Sequence, residues 1–393
     1  MSGGDALIRG WCPGALRPME SGDGLIVRLR ISGGILDVAL AACIARWSVC
    51  WGNGQIDLSS RANLQLRGLS VRNVPALHDA LAEWGLLDDS EAGEAVRNVV
   101  SSPLAGLDPT AVVDVRPIVR GLERRLVDDA SLHALPGKFG FAIDDGGLLG
   151  LGDVSADVLF VATGPAFEVH LAGAPVGCCR PDAVADVAVA LGRTFLRRRA
   201  GRESWISRMR DLVAADGSVT IAREAGLSGG GLPGAARLAS ALLGVQPLGS
   251  AAFVGVGLPF GRVAAEDFAA LVSVSAANGA MELRLTPWRT ILVPVPSVSV
   301  ARFVLGELGT GRFVLGADDA RCRIAACPGA PSCARGTTPV HQDAAELAAV
   351  VGGAAGIVIH VSGCEKGCAH PGSAAVTLVA RDGRYDLVRD GPA

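Results

Sequence analysis

Lysine is almost missing from this 393-residue chain: of its 36 basic side chains, all but Lys138 and Lys366 are arginine. Aromatic residues make up 4% of it, with a single tyrosine, and the formal net charge is −3. A nucleic-acid binder needs a basic stripe with aromatic platforms between the charges, and that composition excludes one. The run Arg197-Arg198-Arg199 reads as a solvated helix end. No charge-free apolar run reaches the length of a membrane span, and the opening MSGGDALIRGWCPG lacks an apolar core followed by a small-residue cleavage site. The expected compartment is the cytoplasm. A dinucleotide fingerprint is also wanting, because GLSGGGLPG neither follows a clear strand nor has the required glycine spacing. Any reducing equivalents are therefore expected from an external reductase or small electron carrier, ultimately NADH.

What is present describes a well-packed globular protein: 50% apolar and 19% charged residues, with 52 glycines. The length exceeds one ordinary core, so two or more domains or a fused duplication are expected. Comparing the chain with itself shows a weak repeat offset by about 225 residues. GQIDLSSRANLQLRGL, from Gly54, echoes GAMELRLTPWRTILVPVP, from Gly279, each following an Ala-rich helical stretch and each alternating like a strand. RNVVSSPLAG echoes CRIAACPGAP and sets Ser102 opposite Cys327. Between the halves, AREAGLSGGGLPGAARLASALLG reads as a Gly-rich loop followed by an Ala/Leu-rich helix.

The ten cysteines are not scattered evenly. Cys327-x5-Cys333 and Cys364-x3-Cys368 are two pairs bracketed by glycine and proline, the second beside Lys366. In a reducing compartment such pairs point to metal binding. CRIAA reads as a strand running into Cys327, HQDAAELAAVV as a helix stopped at Gly352-Gly353, and GIVIHV as a strand running into Cys364. A strand, crossover helix and parallel strand would bring both loops to one sheet edge. Four thiolates there suit a [4Fe–4S] cluster or a structural zinc, and loops longer than zinc knuckles favour the cluster. The six remaining cysteines, Cys12, Cys43, Cys50, Cys178, Cys179 and Cys322, read as structural.

The motifs AACPGAPSCARG, HVSGCEKGCAHPG, SSRANLQLRGL, RNVVSSPLAG and LPGKFG together resemble the sulfite and nitrite reductase superfamily along nearly the whole chain. Within it, the short length and the Lys366-Gly367-Cys368-Ala369-His370 wording resemble the precorrin-3B synthase family. The resemblance implies an α+β fold, a duplicated sulfite/nitrite reductase-like architecture of paired ferredoxin-like half-domains and two pseudo-symmetric cluster-type modules. The expected division is a first half-domain at 1–85, a cationic module without a cluster at 86–200, a linker at 201–245, a second half-domain at 246–310 and a [4Fe–4S] module at 311–393.

It further implies a tetrapyrrole ligand and, for the synthase family, a monooxygenase acting on precorrin-3A. Dioxygen is used to hydroxylate that substrate, which is closed to a γ-lactone in cobalamin biosynthesis, and the family is described as carrying a [4Fe–4S] cluster and a mononuclear non-haem iron. No two-His, one-carboxylate set is visible for that iron; His133, His170, His360 and His370 read as structural. The implied cluster ligands are Cys327, Cys333, Cys364 and Cys368. The implied catalytic cations are Arg61, Arg97 and Lys138. If SSRANLQLRGL is one strand, Arg61, Asn63, Gln65 and Arg67 share a face, and with Arg97, Lys138 and Lys366 they are expected to hold the ligand's carboxylates.

Gly140 stands where the reductases carry the second lysine of their anion pocket, which weakens the sirohaem-dependent reductase reading. The remaining alternative, from a different class, is a non-enzymatic module stabilised by zinc or a cluster.

Overall fold

A computed structural model describes residues 11–227, 242–309, 311–351, 358–370 and 372–393. The Gly-rich centre and Ala/Leu-rich helix expected after Leu227, and the Gly352-Gly353 helix stop, lie outside the described residues. The chain forms two compact units, one from residues 11–17, 30–34 and 85–227, the other from 18–29, 35–84 and 242–393.

In the first unit a five-stranded sheet runs in the order Ala174–Cys179, Phe167–Leu171, Val158–Ala162, Phe141–Asp144, Val99–Ser101. The last three of these are mutually parallel and the other two antiparallel. VLFVA, FEVHL and FAID are buried along their whole length, as strands covered on both faces are. Helix Arg116–Asp128 turns Val119, Leu122 and Leu126 into the core with Phe139, Phe160 and Phe195. Met209–Asp216 and Ser218–Glu224, inside the stretch expected to be a linker, are helices whose Met209, Leu212 and Ile221 belong to that same core.

The second unit holds the duplication in its plainest form. One antiparallel sheet runs Met19–Ser21, Gly24–Leu29, Leu64–Leu69, Gln55–Leu58, Arg262–Ala264; the other runs Gly244–Leu248, Ala251–Gly257, Thr290–Val295, Glu282–Leu285, Ile35–Asp37. The sheets exchange edge strands. Arg262–Ala264, from the second repeat, pairs with Gln55–Leu58 of the first, and Ile35–Asp37 pairs with Glu282–Leu285 of the second. Helices Val38–Trp51 and Ala265–Ala277, each entered directly from an exchanged strand, pack on each other. Asp37 caps the first by accepting from the N–H of Ala39 at 2.7 Å and Leu40 at 3.2 Å.

The turns repeat down to single atoms. Ser59 Oγ accepts from the N–H groups of Arg61 and Asn63, and Thr286 Oγ1 accepts from those of Trp288 and Thr290. Ala62 (φ 55°) and Arg289 (φ 58°) hold the same left-handed position.

The second unit also carries a four-stranded sheet: Ile324–Ala326, Ile359–Ser362 and Ala374–Arg381 are parallel, and Arg384–Gly391 returns antiparallel. This repeats the strand sense of the first unit's sheet. Ser102 and Cys327, each at the end of the first parallel strand, occupy matching places. The Ser102 N–H donates to the Ile143 carbonyl and its Oγ accepts from the Asp145 N–H at 2.9 Å. The Cys327 N–H donates to the Val361 carbonyl and its Sγ accepts from the Gly363 N–H at 3.2 Å.

Where the second sheet ends in thiols, the first ends in carboxylates. Asp144 accepts from the N–H of Gly146 and Leu151, Asp108 from that of Thr110 at 2.8 Å, and Asp145 Oδ1 from that of Gly147 at 2.9 Å. Asp145 Oδ2 is buried without a partner among the described residues. Burial, with Asp144 and Asp108 adding like charge, pushes Asp145 up to about 6, against the bonds from Gly147 and Ser102.

With its folded pKa above the unfolded one, Asp145 contributes nothing adverse below about pH 4, and stability is lost as pH rises through about 6. Asp145→Asn is expected to stabilise the protein at pH 7 by roughly 2–3 kcal/mol, a gain that shrinks as pH falls below about 6 and vanishes near pH 3. Urea unfolding at pH 7 and pH 3, with hydrogen exchange in Phe141–Asp144, checks this; an equal gain at both would show that ionisation of the buried carboxyl is not the cause.

Candidate metal centre and ligand face

The cysteine region folds as the spacing implies. Strand Ile324–Ala326 runs into Cys327, helix Val340–Val351 crosses over, and the parallel strand Ile359–Ser362 runs into Cys364. The expected strand at CRIAA starts late, because Ala320–Arg323 is a 3-10 turn capped by Asp319. Apolar Ile324, Ala326, Val340, Ala344, Ile359 and Val361 pack under the two loops.

Above them three glycines let backbone lie against backbone. A Cβ on Gly329 would meet Val340 at 2.6 Å, one on Gly336 would meet the Ala330 nitrogen at 2.7 Å, and one on Gly363 would meet Gly329 and Gly336 at 3.3 Å. Gly329, at φ 62°, needs the left-handed region as well. The Cys333 N–H donates to the Gly329 carbonyl and the Thr337 N–H to that of Gly363, tying loop to loop.

Cys327 is buried, Cys333 and Cys364 are partly buried, and Cys368 is exposed as a residue. Burial pushes the Cys327 thiol up, the Gly363 and Gly329 N–H groups pull it down, and the charges of Cys333 and Cys364 raise it again. At Cys368 burial of the sulfur again dominates; Lys366 eases it and Cys327, Cys364 and Cys333 oppose. Four sulfurs thus feel one another in a sheltered place. A bound metal relieves this strain, since it takes the thiolates and cancels their repulsion, and the Gly363 N–H is placed to tune such a sulfur. The donor set fits an iron–sulfur cluster. Among the described residues no three His, Cys, Asp or Glu side chains gather on a single-ion site.

The loops are held to the first ferredoxin-like sheet by Arg67. Its side chain, 2% exposed, donates from Nε and Nη2 to the two Asp23 oxygens, each at 2.9 Å, and from Nη1 to Asp57 Oδ2 at 3.1 Å. Nη2 also reaches the carbonyl of Ser332, next to Cys333, at 2.6 Å. Arg262 brackets Asp57 from the exchanged strand, at 2.6 and 3.1 Å, and donates to Ser332 Oγ at 3.1 Å. Gly22 leaves room for this approach: a Cβ there would lie 2.1 Å from the Pro331 carbonyl oxygen. Burial drags the Arg67 guanidinium down, but Asp23 and Asp57 outweigh it and its pKa is raised.

Arg67, expected to meet ligand, is therefore a structural clamp with its donors used. The expected common strand face is also shorter than the alternation suggested. The strand starts at Leu64, so Gln65 and Arg67 lie on it, while Arg61 and buried Asn63 belong to the turn around Ala62. Gln65 Oε1 accepts from Arg28 Nε at 3.1 Å and Nη2 at 2.8 Å, across the strand pair. Arg28 was missed by motif reading, because its strand pairs with that of Gln65 across an intervening helix and strands. Lys366 is exposed on the Cys364–Cys368 loop.

Arg97 and Lys138 belong to the first unit. Arg97 follows helix Glu91–Val96 and forms a bidentate pair with Asp88 at 3.0 and 2.8 Å, with Glu123 at 3.8 Å. Burial lowers its pKa first, and the Asp88 bond and the carboxylate charges reverse that and raise it. Lys138 is exposed in the turn before Phe141–Asp144. At Gly140 a Cβ would make only ordinary contacts, the nearest at 3.6 Å, so the missing second lysine is not imposed by space.

The nitrite/sulfite reductase ferredoxin-like half-domain matches residues 17–84, and the nitrite and sulphite reductase 4Fe-4S domain matches 92–274, a stretch that includes Arg97 and Lys138 and ends before Cys327. A precorrin-3B synthase from Sinorhizobium sp is 32% identical over 99% of this chain and 84% of that protein. A ferredoxin–nitrite reductase from Synechococcus elongatus is 28% identical over 94% of this chain and 78% of that protein. The structure of Mycobacterium tuberculosis NirA superposes with a TM-score of 0.76, covering 93% of this chain and 73% of that one at 23% identity. That last likeness is one of fold. No helix among the described residues is long and apolar enough to cross a membrane.

Replacing any one of Cys327, Cys333, Cys364 or Cys368 by alanine is expected to cost most of the bound iron and sulfide, whereas Cys50→Ala, on an exposed helix end, leaves both unchanged; anaerobic iron and sulfide analysis reads this. Arg67→Met leaves Asp23 and Asp57 uncompensated and is expected to destabilise the second unit by about 3–5 kcal/mol. Denaturant titration followed at a cluster absorbance band measures it, and a loss below about 1 kcal/mol would mean that the clamp is idle.

Proposed function

Because the chain belongs to the nitrite and sulfite reductase family, precorrin-3B synthase-like within it, we propose that it is an oxygen-dependent precorrin-3B synthase of the cytoplasm. It hydroxylates precorrin-3A and closes an acetate side chain to a γ-lactone. One atom of dioxygen enters the product and the other leaves as water, with two electrons supplied by an external donor, ultimately NADH. The observation that carries the reading is the 32% identity with a precorrin-3B synthase over 99% of the chain.

Charge supports it against sulfite or nitrite reduction. An oxyanion pocket works by concentrating unpaired cations where negative charge must be held. Of the four positions that resemblance assigns to that task, one is Gly140, and Arg97 is already neutralised by Asp88 with Glu123 close by.

In this reading Cys327, Cys333, Cys364 and Cys368 hold a [4Fe–4S] cluster, which when bound supplies electrons one at a time. The glycine cradle of Gly329, Gly336 and Gly363 lets the two cysteine loops pack together and would set where the four thiolates hold that cluster. Arg61, Asn63, Gln65, Lys138 and Lys366 orient the macrocycle by its carboxylates. The buried Arg67 clamp keeps the Ser332 segment from shifting as ligand enters.

Anaerobic purification, the visible spectrum and metal analysis, before and after precorrin-3A and air, test the proposal. About four iron and four sulfide per chain are expected, without sirohaem bands, and with one ¹⁸O atom from labelled dioxygen appearing in the product. Sirohaem bands with sulfite or nitrite turnover would move the protein to the reductases, and zinc without sulfide would make it a binding module.

A further inference from the structure

The network around Asp57 contains more positive than negative charge. Arg67 and Arg262 are matched by Asp23 and Asp57, and every one of those carboxylate oxygens is occupied by a guanidinium N–H. Arg289 is the third cation. It is partly buried in the turn between Glu282–Leu285 and Thr290–Val295, and Asp57 acts on it only through space. Among the described residues no hydrogen bond or ion pair reaches its guanidinium.

Burial, opposed by Asp57, holds Arg289 below the usual arginine range. His341, on the crossover helix, adds no compensating charge. Burial and then the charge of Arg262 bring it down to about 4, so it is neutral at pH 7.

The position is built rather than accidental. Arg289 takes the left-handed place that Ala62 holds in the first repeat, and its carbonyl accepts from the Leu258 N–H at 3.0 Å. Its side chain runs past Gly261, where a Cβ would stand 2.7 Å from Arg289 Cδ and displace it. Gly261 itself sits at φ 81°. One repeat carries a methyl group at this site and the other a guanidinium with a channel for its stem. A sheltered cation held in place without a counter-ion is unstable unless an anion arrives to match it.

We propose that Arg289 is a carboxylate receptor, taking one acid side chain of the tetrapyrrole ligand in a bidentate pair. This rests on the function proposed above and adds to it a residue that holds one carboxylate of the macrocycle. The chemistry follows from the fork of guanidinium donors, which matches a carboxylate oxygen pair.

The test uses the cluster-loaded protein and uroporphyrin as the probe, a tetrapyrrole with eight carboxylates. Phenylglyoxal modification is mapped by peptide mass spectrometry with and without probe, and probe binding is followed by its absorbance. Arg289 is expected to react while Arg67 and Arg262 are spared, and uroporphyrin is expected to slow its reaction about tenfold. Arg289→Gln is expected to weaken probe binding about tenfold, Arg289→Lys less, and Arg384→Gln, on an exposed strand, not at all.

An unreactive Arg289 would overturn the proposal by showing the guanidinium engaged within the protein. Probe binding that neither protects Arg289 nor weakens in Arg289→Gln would overturn it and leave the tetrapyrrole reading standing. Intact probe binding with a shifted midpoint potential in Arg289→Gln would overturn it in favour of a counter-charge to the cluster. Failure of the unaltered protein to bind the probe would remove the proposal together with the function beneath it.

Discussion

The arginine at position 67 is the constraint on which the second unit turns. A buried guanidinium survives only when its donors and its charge are both met. Meeting them here takes a hairpin residue (Asp23), a central-strand residue (Asp57) and a backbone carbonyl from the cysteine loop (Ser332). Asp57 in turn needs Arg262, which arrives on a strand from the other repeat. One polar knot thus gathers hairpin, sheet, exchanged strand and cysteine loop, and the loop's position is fixed by a sheet that carries none of the thiols.

That arrangement separates rigidity from chemistry. The cysteines sit on loops made of glycine and proline, where backbone can approach sulfur, and such loops do not hold themselves in place. The apolar layer beneath them and the Arg67 anchor beside them supply the stiffness. In the first unit the same strand ends carry aspartates bonded to the N–H groups of their own turns. There the loop is self-supporting, at the expense of burying the Asp145 carboxyl beside like charge.

The cysteine module was legible in the sequence because its signals are local: strand, helix and strand in register, with glycines beside the thiols. The duplication was legible because elements that share an offset share a pattern. Arg67 was misread because alternation along a strand reveals a face but not what lies on it, and its partners are 44 and 265 positions away. Arg61 and Asn63 were drawn into that strand because SSRANLQL alternates; the Ser59 turn, with Ala62 in a left-handed conformation that residue type does not advertise, breaks the run. The edge-strand exchange left no mark at all, since Ile35–Asp37 and Arg262–Ala264 are three residues each and read the same whichever sheet they join.

The exchange also sets an order of events during synthesis. The first ferredoxin-like sheet lacks its outer strand, and Asp57 lacks Arg262, until residue 264 has left the ribosome. At about 5–20 residues per second that is a wait on the order of 10–40 s after Leu69 is made. Through that interval Gln55–Leu58 is an open edge, and Arg67 has only Asp23 and a half-satisfied Asp57 to pair with. The nascent chain passes through a stage in which the buried Arg67 guanidinium is incompletely paired, and closing the knot joins the two ferredoxin-like sheets.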